Sequence, residues 1–250
     1  RWPAWLAGLE GVLPRLPAVV APGRPLGEVT PRAAAATGLP AGLPVIAGAT
    51  DGTASVLASG VRRVGDYNTT LGTTLVFKAV GKRLVSHPQG LIYSHKLPGG
   101  RWLPGAASNT GSEWIGVWFA GQQPAALDLA AGARVPVPLA VYPLARRGER
   151  FPFLAPDAVG LLPPETEPLE SRYAACLQGT ACVERLAYET IDTAAGLAGG
   201  DVFATGGGSR SDVWSQIRAD VTGRTIHRPA CPESAFGSAV LAAAGVTGAD

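Results

Sequence analysis

The chain has 250 residues, of which 46% are hydrophobic and 16% are charged, and its formal net charge is +2. This composition is typical of a folded globular protein with one large or two modest domains, and it excludes an intrinsically disordered chain. So small a charge, without a basic run, indicates neither nucleic acid nor a membrane surface as a partner. No apolar stretch approaches the roughly 20 residues that span a bilayer.

The three cysteines predict free thiols. Cys176, Cys182 and Cys231 form no CxxC pair and have no histidine at ligand spacing, so neither a disulfide framework nor a metal site is predicted. No signal peptide opens the chain, and we therefore expect a reducing compartment, the cytoplasm. Because the sequence begins at Arg1 and contains no methionine, we interpret it as a piece of a longer protein.

The first 40 residues predict two helices. Residues 2–16 are apolar and aromatic and favour a helix that breaks at Pro14. Farther on, Thr30 caps a helix whose first residue is Pro31, and the alanine-rich run behind them ends at Gly38.

A turn with a single acid follows. Residues 45–49 form a short apolar run that ends in a small-residue turn with Asp51, and residues 52–59 predict a short helix. A carboxylate at the end of a strand can accept a proton, so Asp51 is a candidate general base. The alternative is structural: Asp51 caps the following helix and accepts a backbone N–H of Thr53 or Ala54.

Residues 66–79 predict a β-hairpin, because strand-forming residues flank the tip at Leu71, Gly72 and Thr73. Bare backbone N–H groups at Gly72 and Thr73 would cradle an anion such as a phosphate. The alternative is an ordinary turn, in which glycine adopts a positive φ.

The middle of the chain predicts a second hairpin, then helices separated by an irregular proline-rich segment. Residues 108–111 offer caps for the first of these helices. The predicted strands are 91–97 and 101–104, the predicted helices are 112–120, 122–134 and 171–198, and the irregular segment is 142–164.

The last segment alternates strands and helices, which indicates an α/β layer. A strand at 201–205 is followed by a glycine turn at 206–211 and a helix at 212–222. A short strand at 225–228 and a small-residue helix at 234–245 complete the segment.

The glycine turn between a strand and a helix favours a nucleotide site, because glycines let a ligand approach the backbone closely. One candidate chemistry is hydride transfer. Gly206, Gly208 and Ser211 half-match GxGxxG, and Arg228 stands where a partner of the NADP 2′-phosphate would lie. Against this, such a motif normally opens its domain, and its last glycine is missing here.

Four motifs, in order along the chain, resemble those of the FGGY family of carbohydrate kinases. Residues 47–52 resemble the family's glycine-rich turn around its catalytic aspartate, and residues 70–74 its second phosphate motif. Residues 148–157 resemble its GER-P…DP segment, and residues 206–211 with Trp214 its adenosine motif. The resemblance covers nearly the whole chain, and four ordered motifs are more specific than any one alone.

The resemblance implies an α/β, ribonuclease-H-like fold of the actin and hexokinase type. It divides the chain into residues 1–59, the end of a sugar-binding N-terminal domain of the same fold, and residues 60–250, a nucleotide-binding C-terminal domain. Within the family, residues 93–95, 105–111 and 204–208 look most like the D-ribulose kinases of cyanobacteria and plants, with xylulokinases next. The implied reaction transfers the γ-phosphoryl of ATP to a sugar hydroxyl.

The resemblance also implies roles for individual residues. Asp51 would be the general base, and Asp51 with Gly52 would contact the sugar. Mg²⁺ would be held chiefly by phosphates and water. Trp214 has an alternative as a core residue of its helix. The implied ATP contacts are Gly72 and Thr73 for the β- and γ-phosphates, Gly111 for a further backbone N–H, Gly207 and Gly208 for the floor of the adenine and ribose pocket, Ser211 for a polar contact and Trp214 for a packing wall.

The sequence departs from the family at its start, where the first phosphate loop, Asp-x-Gly-Thr, and most sugar-contacting residues are absent. We therefore expect the chain alone to be inactive. A non-catalytic nucleotide-binding remnant is the alternative to an enzyme, and the oligomeric state stays open.

Overall fold

A computed structural model describes residues 2–248, which form a six-stranded mixed sheet, a two-stranded sheet and seven α-helices. The strands are β1 (Pro25–Glu28), β2 (Pro44–Ile46), β3 (Tyr67–Leu71), β4 (Leu75–Ala79), β5 (Tyr93–Lys96), β6 (Trp102–Ser108), β7 (Val202–Thr205) and β8 (Ile226–His227). The helices are α1 (Pro31–Thr37), α2 (Asp51–Ser59), α3 (Glu113–Trp118), α4 (Pro124–Gly132), α5 (Leu169–Ala195), α6 (Asp212–Thr222) and α7 (Ser234–Thr247).

The large sheet has the strand order β5-β6-β4-β3-β7-β8. The pairs β3–β7 and β7–β8 are parallel, and the other pairs are antiparallel. Thr70 on β3 lies opposite Val76 on β4 and Thr205 on β7. Because the parallel strands β3 and β7 end at the same edge, the hairpin tip after β3 and the glycine turn after β7 are neighbours.

One face of the sheet, which we call the α5 face, carries the main hydrophobic core. Alternate strand residues such as Leu71, Leu75 and Phe77 are fully buried there, because side chains along a strand alternate between the two faces. They belong to one core with Tyr188 of α5 and Trp114 of α3. This core fixes the positions of the central strands.

The opposite face, which we call the α2 face, is covered by α2, and α7 packs against α2. Val56 of α2 packs with Val80, Leu97 and Leu103 in a second, smaller core. The two helices touch backbone to backbone, since a Cβ at Gly237 would overlap the carbonyl of Ala54. This packing holds the N-terminus of α2, and with it Asp51, against the sheet.

The helix expected at residues 2–16 is not continuous, which corrects the prediction. The structure has two short 3₁₀-helices, Ala4–Gly8 and Leu13–Arg15. Gly11 lies between them with φ +69, in the left-handed region, and Pro14 has no N–H to donate. Both residues oppose a regular α-helix.

Most other elements lie close to their predicted positions. Both hairpins are confirmed as β3–β4 and β5–β6, and the predicted helix at 212–222 is α6. The predicted cap residues 108–111 do not cap a helix: Ser108 ends β6, and the N-cap of α3 is Ser112. None of the helices within residues 2–248 is long and apolar enough to cross a membrane.

Candidate active site

The hairpin tip, residues 72–74, and the glycine turn, residues 206–211, meet at one edge of the sheet. Gly206 has φ +87, and a Cβ there would lie 2.6 Å from the carbonyl oxygen of Leu71. Only glycine fits this approach. The two motifs that the sequence assigned to ATP therefore form one continuous surface.

A cavity of about 530 Å³ opens beside this surface, within the size range of small-molecule sites. It is lined by Ser55 of α2, Thr70 of β3, the glycine turn and part of the segment 228–233. The hydroxyls of Thr70 and Thr205 are 2.9 Å apart and hydrogen-bonded. The cavity thus has a rigid polar wall built from two parallel strands.

The four predicted residues of the adenosine motif divide into two groups. Gly207 lines the cavity, and a Cβ there would meet nothing within 4 Å. Gly208 is packed instead, since its Cβ would lie 2.5 Å from Leu71 Cγ. Ser211 is the N-cap of α6 and accepts the backbone N–H of Trp214 at 3.0 Å. Of the four, only Gly207 faces the cavity.

Trp214 adopts the alternative that the sequence left open, a core residue of its helix. Its side chain is 1% exposed, and its Nε1 donates to the carbonyl of Leu177 at 3.2 Å. Its ring packs edge-to-face against Trp114. It supports Gly208 from behind and does not line the cavity.

The two predicted phosphate-binding residues of the tip also differ. The N–H of Gly72 donates to the carbonyl of Thr74 at 3.1 Å, so it is not bare, contrary to the expectation. Thr73 is exposed, and within residues 2–248 neither its N–H nor its hydroxyl has a hydrogen-bond partner. Thr73 is therefore the residue of the tip whose donors are free to bind a ligand.

Gly111 supports the tip from below. A Cβ at Gly111 would overlap the carbonyls of Thr73 and Gly72, so only glycine allows the two segments to touch. Beside it, the N–H and the hydroxyl of Ser112 both donate to the carbonyl of Gly72 at 2.8 Å. These contacts fix the tip, and the phosphate contact of the Gly111 N–H that the resemblance implied stays a prediction.

Glu149 is a positioning residue whose role the sequence analysis missed. Its buried carboxylate is 2% exposed and accepts hydrogen bonds from Ser108, Thr110 and Tyr142, at 2.7–2.9 Å. Further donors are the backbone N–H groups of Asn109 and Arg150. Burial and the neighbouring Glu149 charge raise the pKa of Tyr142, which keeps the phenol protonated as a donor. One carboxylate thus ties the GER segment to the end of β6.

Asp51 is the first residue of α2 and is exposed. The N-cap is Thr50, whose hydroxyl accepts the N–H of Thr53, so the proposal that Asp51 itself caps this helix is wrong. The carboxylate accepts the N–H of Gly52 at 2.6 Å and otherwise faces solvent. It stands one turn before Ser55, which lines the cavity.

Lys78 is a second residue for which the sequence gave no role. It is the neighbour of Asp51 from the sheet side, because a Cβ at Gly52 would lie 2.5 Å from Lys78 Nζ. His95 of β5 also belongs to this group, since its pKa is lowered by burial and by the charge of Lys78. Asp51, Lys78 and His95 are far apart in the sequence, and only the sheet brings them together.

No cage for a metal ion forms within residues 2–248, where three or more His, Cys, Asp or Glu side chains are nowhere grouped suitably. Mg²⁺ needs only one or two carboxylates when substrate phosphates and waters supply its other ligands. The residues present therefore fit a magnesium ion that a nucleotide would carry, with the free donors of Thr73 binding the phosphates that hold the ion.

The fold is that of actin- and hexokinase-like ATPases, which solved structures share. The xylulose kinase from Rhodospirillum rubrum superposes with a TM-score of 0.76 at 31% identity, over 92% of this chain and 48% of that one. A xylulose kinase from Brucella ovis superposes with a TM-score of 0.86 at 27% identity, over 100% of this chain and 53% of that one.

The sequence comparisons name the family. The family model described as the C-terminal domain of the FGGY family of carbohydrate kinases matches residues 67–246. The chain belongs to this family. A probable L-xylulose kinase of Pasteurella multocida (strain Pm70) is 29% identical over 256 residues, which cover 97% of this chain and 51% of that protein. The chain spans about half the length of the curated relatives it matches.

Proposed function

We propose that the full-length protein transfers the γ-phosphoryl of ATP to a hydroxyl of a ketopentose, with Mg²⁺ bound to the nucleotide. The observation that carries this proposal is the meeting of the hairpin tip and the glycine turn beside a cavity, with the exposed Asp51 on the same face of the sheet. Membership of a sugar kinase family supports it. In this assignment, residues 60–250 bind the nucleotide and residues 1–59 belong to the sugar-binding domain.

Asp51 is the proposed general base. In phosphoryl transfer the protein mainly positions groups and stabilises charge, and a carboxylate accepts the proton of the attacking hydroxyl. Asp51 is exposed, and its one hydrogen bond within residues 2–248 comes from the N–H of the adjacent Gly52, so oxygen lone pairs stay open to a sugar hydroxyl. Asp51 and Gly52 are therefore the proposed contacts of the sugar.

The nucleotide is proposed to lie along the tip and the glycine turn. The N–H and hydroxyl of Thr73 would bind the β- and γ-phosphates, and Gly72 and Gly111 would hold that loop in shape. Gly207 would form the floor under the adenine and ribose. Gly208, Ser211 and Trp214 would act indirectly, because their packing and capping fix the turn.

The favoured sugar is D-ribulose, with D-xylulose next. The first choice is supported by residues 93–95 and 105–111, which resemble D-ribulose kinases. The second is supported by relatives whose names are xylulose kinase and L-xylulose kinase. D-ribulose, D-xylulose and L-xylulose are all ketopentoses, which supports a ketopentose as the acceptor.

A sugar-dependent assay of ADP release with the full-length protein tests the proposal. We expect turnover with D-ribulose and D-xylulose, and a higher kcat/KM with D-ribulose. ATP should raise the melting temperature and NADPH should not. Stabilisation by ATP without turnover on any ketopentose or polyol would favour a nucleotide-binding remnant instead.

A further inference from the structure

Lys78 on β4 has an unusual environment for a lysine. Its side chain points from the α2 face of the sheet and is 9% exposed. The ammonium lies against the backbone of Gly52, where a Cβ would be 2.5 Å from Nζ, so any residue other than glycine would displace it. It therefore reaches the residue that directly follows Asp51.

Within residues 2–248 the ammonium forms neither a hydrogen bond nor an ion pair, and Asp51 acts on it only through its charge. Two side-chain nitrogens in this part of the chain are fully buried without a hydrogen bond, Arg172 Nε and Arg218 Nη1. Lys78 Nζ also lacks a hydrogen bond but is not fully buried, so it keeps some contact with solvent. A mostly buried charge without a partner is costly to folding, and lysine is seldom buried in that state. An anionic ligand that pairs with the ammonium would account for a lysine in this environment.

Two titratable groups act on Lys78 or respond to it. Burial lowers the pKa of Lys78, and the negative charge of Asp51, at the N-terminus of α2, acts in the opposite direction. Burial also lowers the pKa of His95 on β5, and the charge of Lys78 lowers it further. Asp51 therefore favours the charged form of Lys78, and the charge of Lys78 in turn favours the neutral form of His95.

We propose that the Lys78 ammonium binds an oxygen of the phosphoryl group while that group is transferred beside Asp51. This inference rests on the proposed function. A lysine suits this task because it is a compact point charge with rotatable donors, a common binder of phosphate.

The charges at each stage of the transfer are consistent with this role. The sugar hydroxyl oxygen forms a bond to the γ-phosphorus, its proton passes to the Asp51 carboxylate, and the bond to the β,γ-bridging oxygen breaks, so that ADP leaves with the electron pair. Asp51 is neutral after this step, and a new phosphate ester stands beside it. Lys78 gives up no proton, and its anionic neighbour changes from Asp51 to the phosphoryl oxygens.

A functional charge and a structural lysine predict opposite effects on stability. Lys78→Met keeps a long flexible side chain and removes a mostly buried, unpaired charge, so the variant should be at least as stable as the wild type. If Lys78 served only the fold, the same substitution would lower the melting temperature. Lys78→Arg keeps the charge on a bulkier head, and Lys82→Met is the matched control, an exposed lysine four residues farther on.

Kinetics and melting temperatures of the full-length variants give the first test. We expect Lys78→Met to lower kcat about 10²-fold, the usual effect of removing one preorganised group that stabilises transition-state charge. Its melting temperature should not fall, Lys78→Arg should recover part of the lost kcat, and Lys82→Met should match the wild type. A wild-type kcat in Lys78→Met, or a loss of kcat matched by an equal loss of stability in both Lys78 variants, would overturn the inference.

Thermal shift with inorganic phosphate gives a second test that does not need turnover. Phosphate should raise the melting temperature of the wild type and of Lys82→Met, and raise that of Lys78→Met less. An equal shift in all three proteins overturns the role of Lys78. If the wild type turns over no sugar, the proposed function fails by itself, and the phosphate experiment still decides whether Lys78 forms an anion site.

Discussion

The two faces of the six-stranded sheet differ in how their charged side chains are paired. On the α5 face, the hydroxyl of Thr69 is 2.7 Å from that of Tyr188, which in turn donates to Glu184. Glu184 also accepts two hydrogen bonds of 2.6 Å from Arg218, and both residues of this ion pair are fully buried. On the α2 face, Lys78 has no hydrogen bond or ion pair within residues 2–248, and Asp51 is exposed.

From this difference we infer that the groups on one face serve stability and that those on the other are available for the proposed ligand binding. On β3, Thr69 points toward the buried Glu184–Arg218 network and Thr70 toward the cavity, because neighbouring residues of a strand point to opposite faces. Substitutions on the α5 face should therefore act on folding, and substitutions on the α2 face on binding and turnover. Four experiments test that separation.

The largest expected effect is on turnover, from Asp51→Asn on the α2 face. Asparagine keeps the size of the side chain but cannot accept the proton, so kcat should fall about 10²–10⁴-fold while ATP binding changes little. Stability should hardly change, because the N-cap is Thr50. Thr50→Ala should show the reverse signature in stability, a loss of about 1 kcal/mol. Measuring kcat and melting temperature on the same preparation decides, and a near-normal kcat in Asp51→Asn would rule out this turn as the catalytic centre.

The matching test on the α5 face is Glu184→Gln. It leaves the Arg218 guanidinium buried without its counter-charge, and breaking such a pair costs about 3–5 kcal/mol in the free energy of unfolding. Denaturant unfolding of the full-length protein measures this loss. The folded fraction should bind ATP with the wild-type affinity. A weaker affinity with intact stability would show that the two faces are not separate.

A pair of adjacent glycines sharpens the comparison at the edge of the sheet. Gly207→Val should fold normally, because its Cβ meets nothing within 4 Å, and should abolish stabilisation by ATP, since the side chain fills the cavity. Gly208→Val should instead overpack Leu71 and Trp214 and cost about 1–3 kcal/mol in stability. Thermal shift with and without ATP separates the two. An unchanged ATP shift in folded Gly207→Val would place the nucleotide elsewhere.

The smallest expected effect is the pH dependence of stability from Lys78. Burial lowers its pKa in the folded state, so folding is opposed while the lysine is charged in both states. This penalty is complete below the lowered folded pKa and disappears as the pH rises through the unfolded value of about 10.4. Lys78→Met should therefore be more stable than the wild type at neutral pH, and the difference should shrink in alkaline buffer. Urea titrations at several pH values measure it, and a difference that grows with pH would contradict the unpaired charge.

Much of the fold could be predicted from local sequence. The hairpins and α6 are marked by strand-forming runs, turn glycines and a capping serine, and these signals act within a few residues of one another. The order of the four motifs identified the family, which the family model confirms. Residues 2–16 were less predictable, because their apolar pattern suits a helix while Gly11 and Pro14 oppose one.

The structural role of each residue within the motifs could not be predicted, because it depends on the direction in which the side chain points. Ser211 and Trp214 belong to the adenosine motif, yet the structure gives one a capping bond and the other a place in the core. Lys78 shows the same limit, since nothing in a strand sequence indicates that its ammonium meets Gly52, 26 positions earlier. Such contacts arise from the strand order of the sheet.

The carboxylate of Glu149 has a consequence for how ligand binding is divided between folding and association. It accepts hydrogen bonds from residues 108–110, from Tyr142 and from Arg150, and the loop beneath the hairpin tip is thereby ordered before any ligand arrives. The conformational entropy of this loop is therefore lost when the protein folds, and not when a ligand binds. If the proposed function holds, a nucleotide that reaches the tip meets a loop already in its binding shape, and its affinity depends on the contacts it makes there.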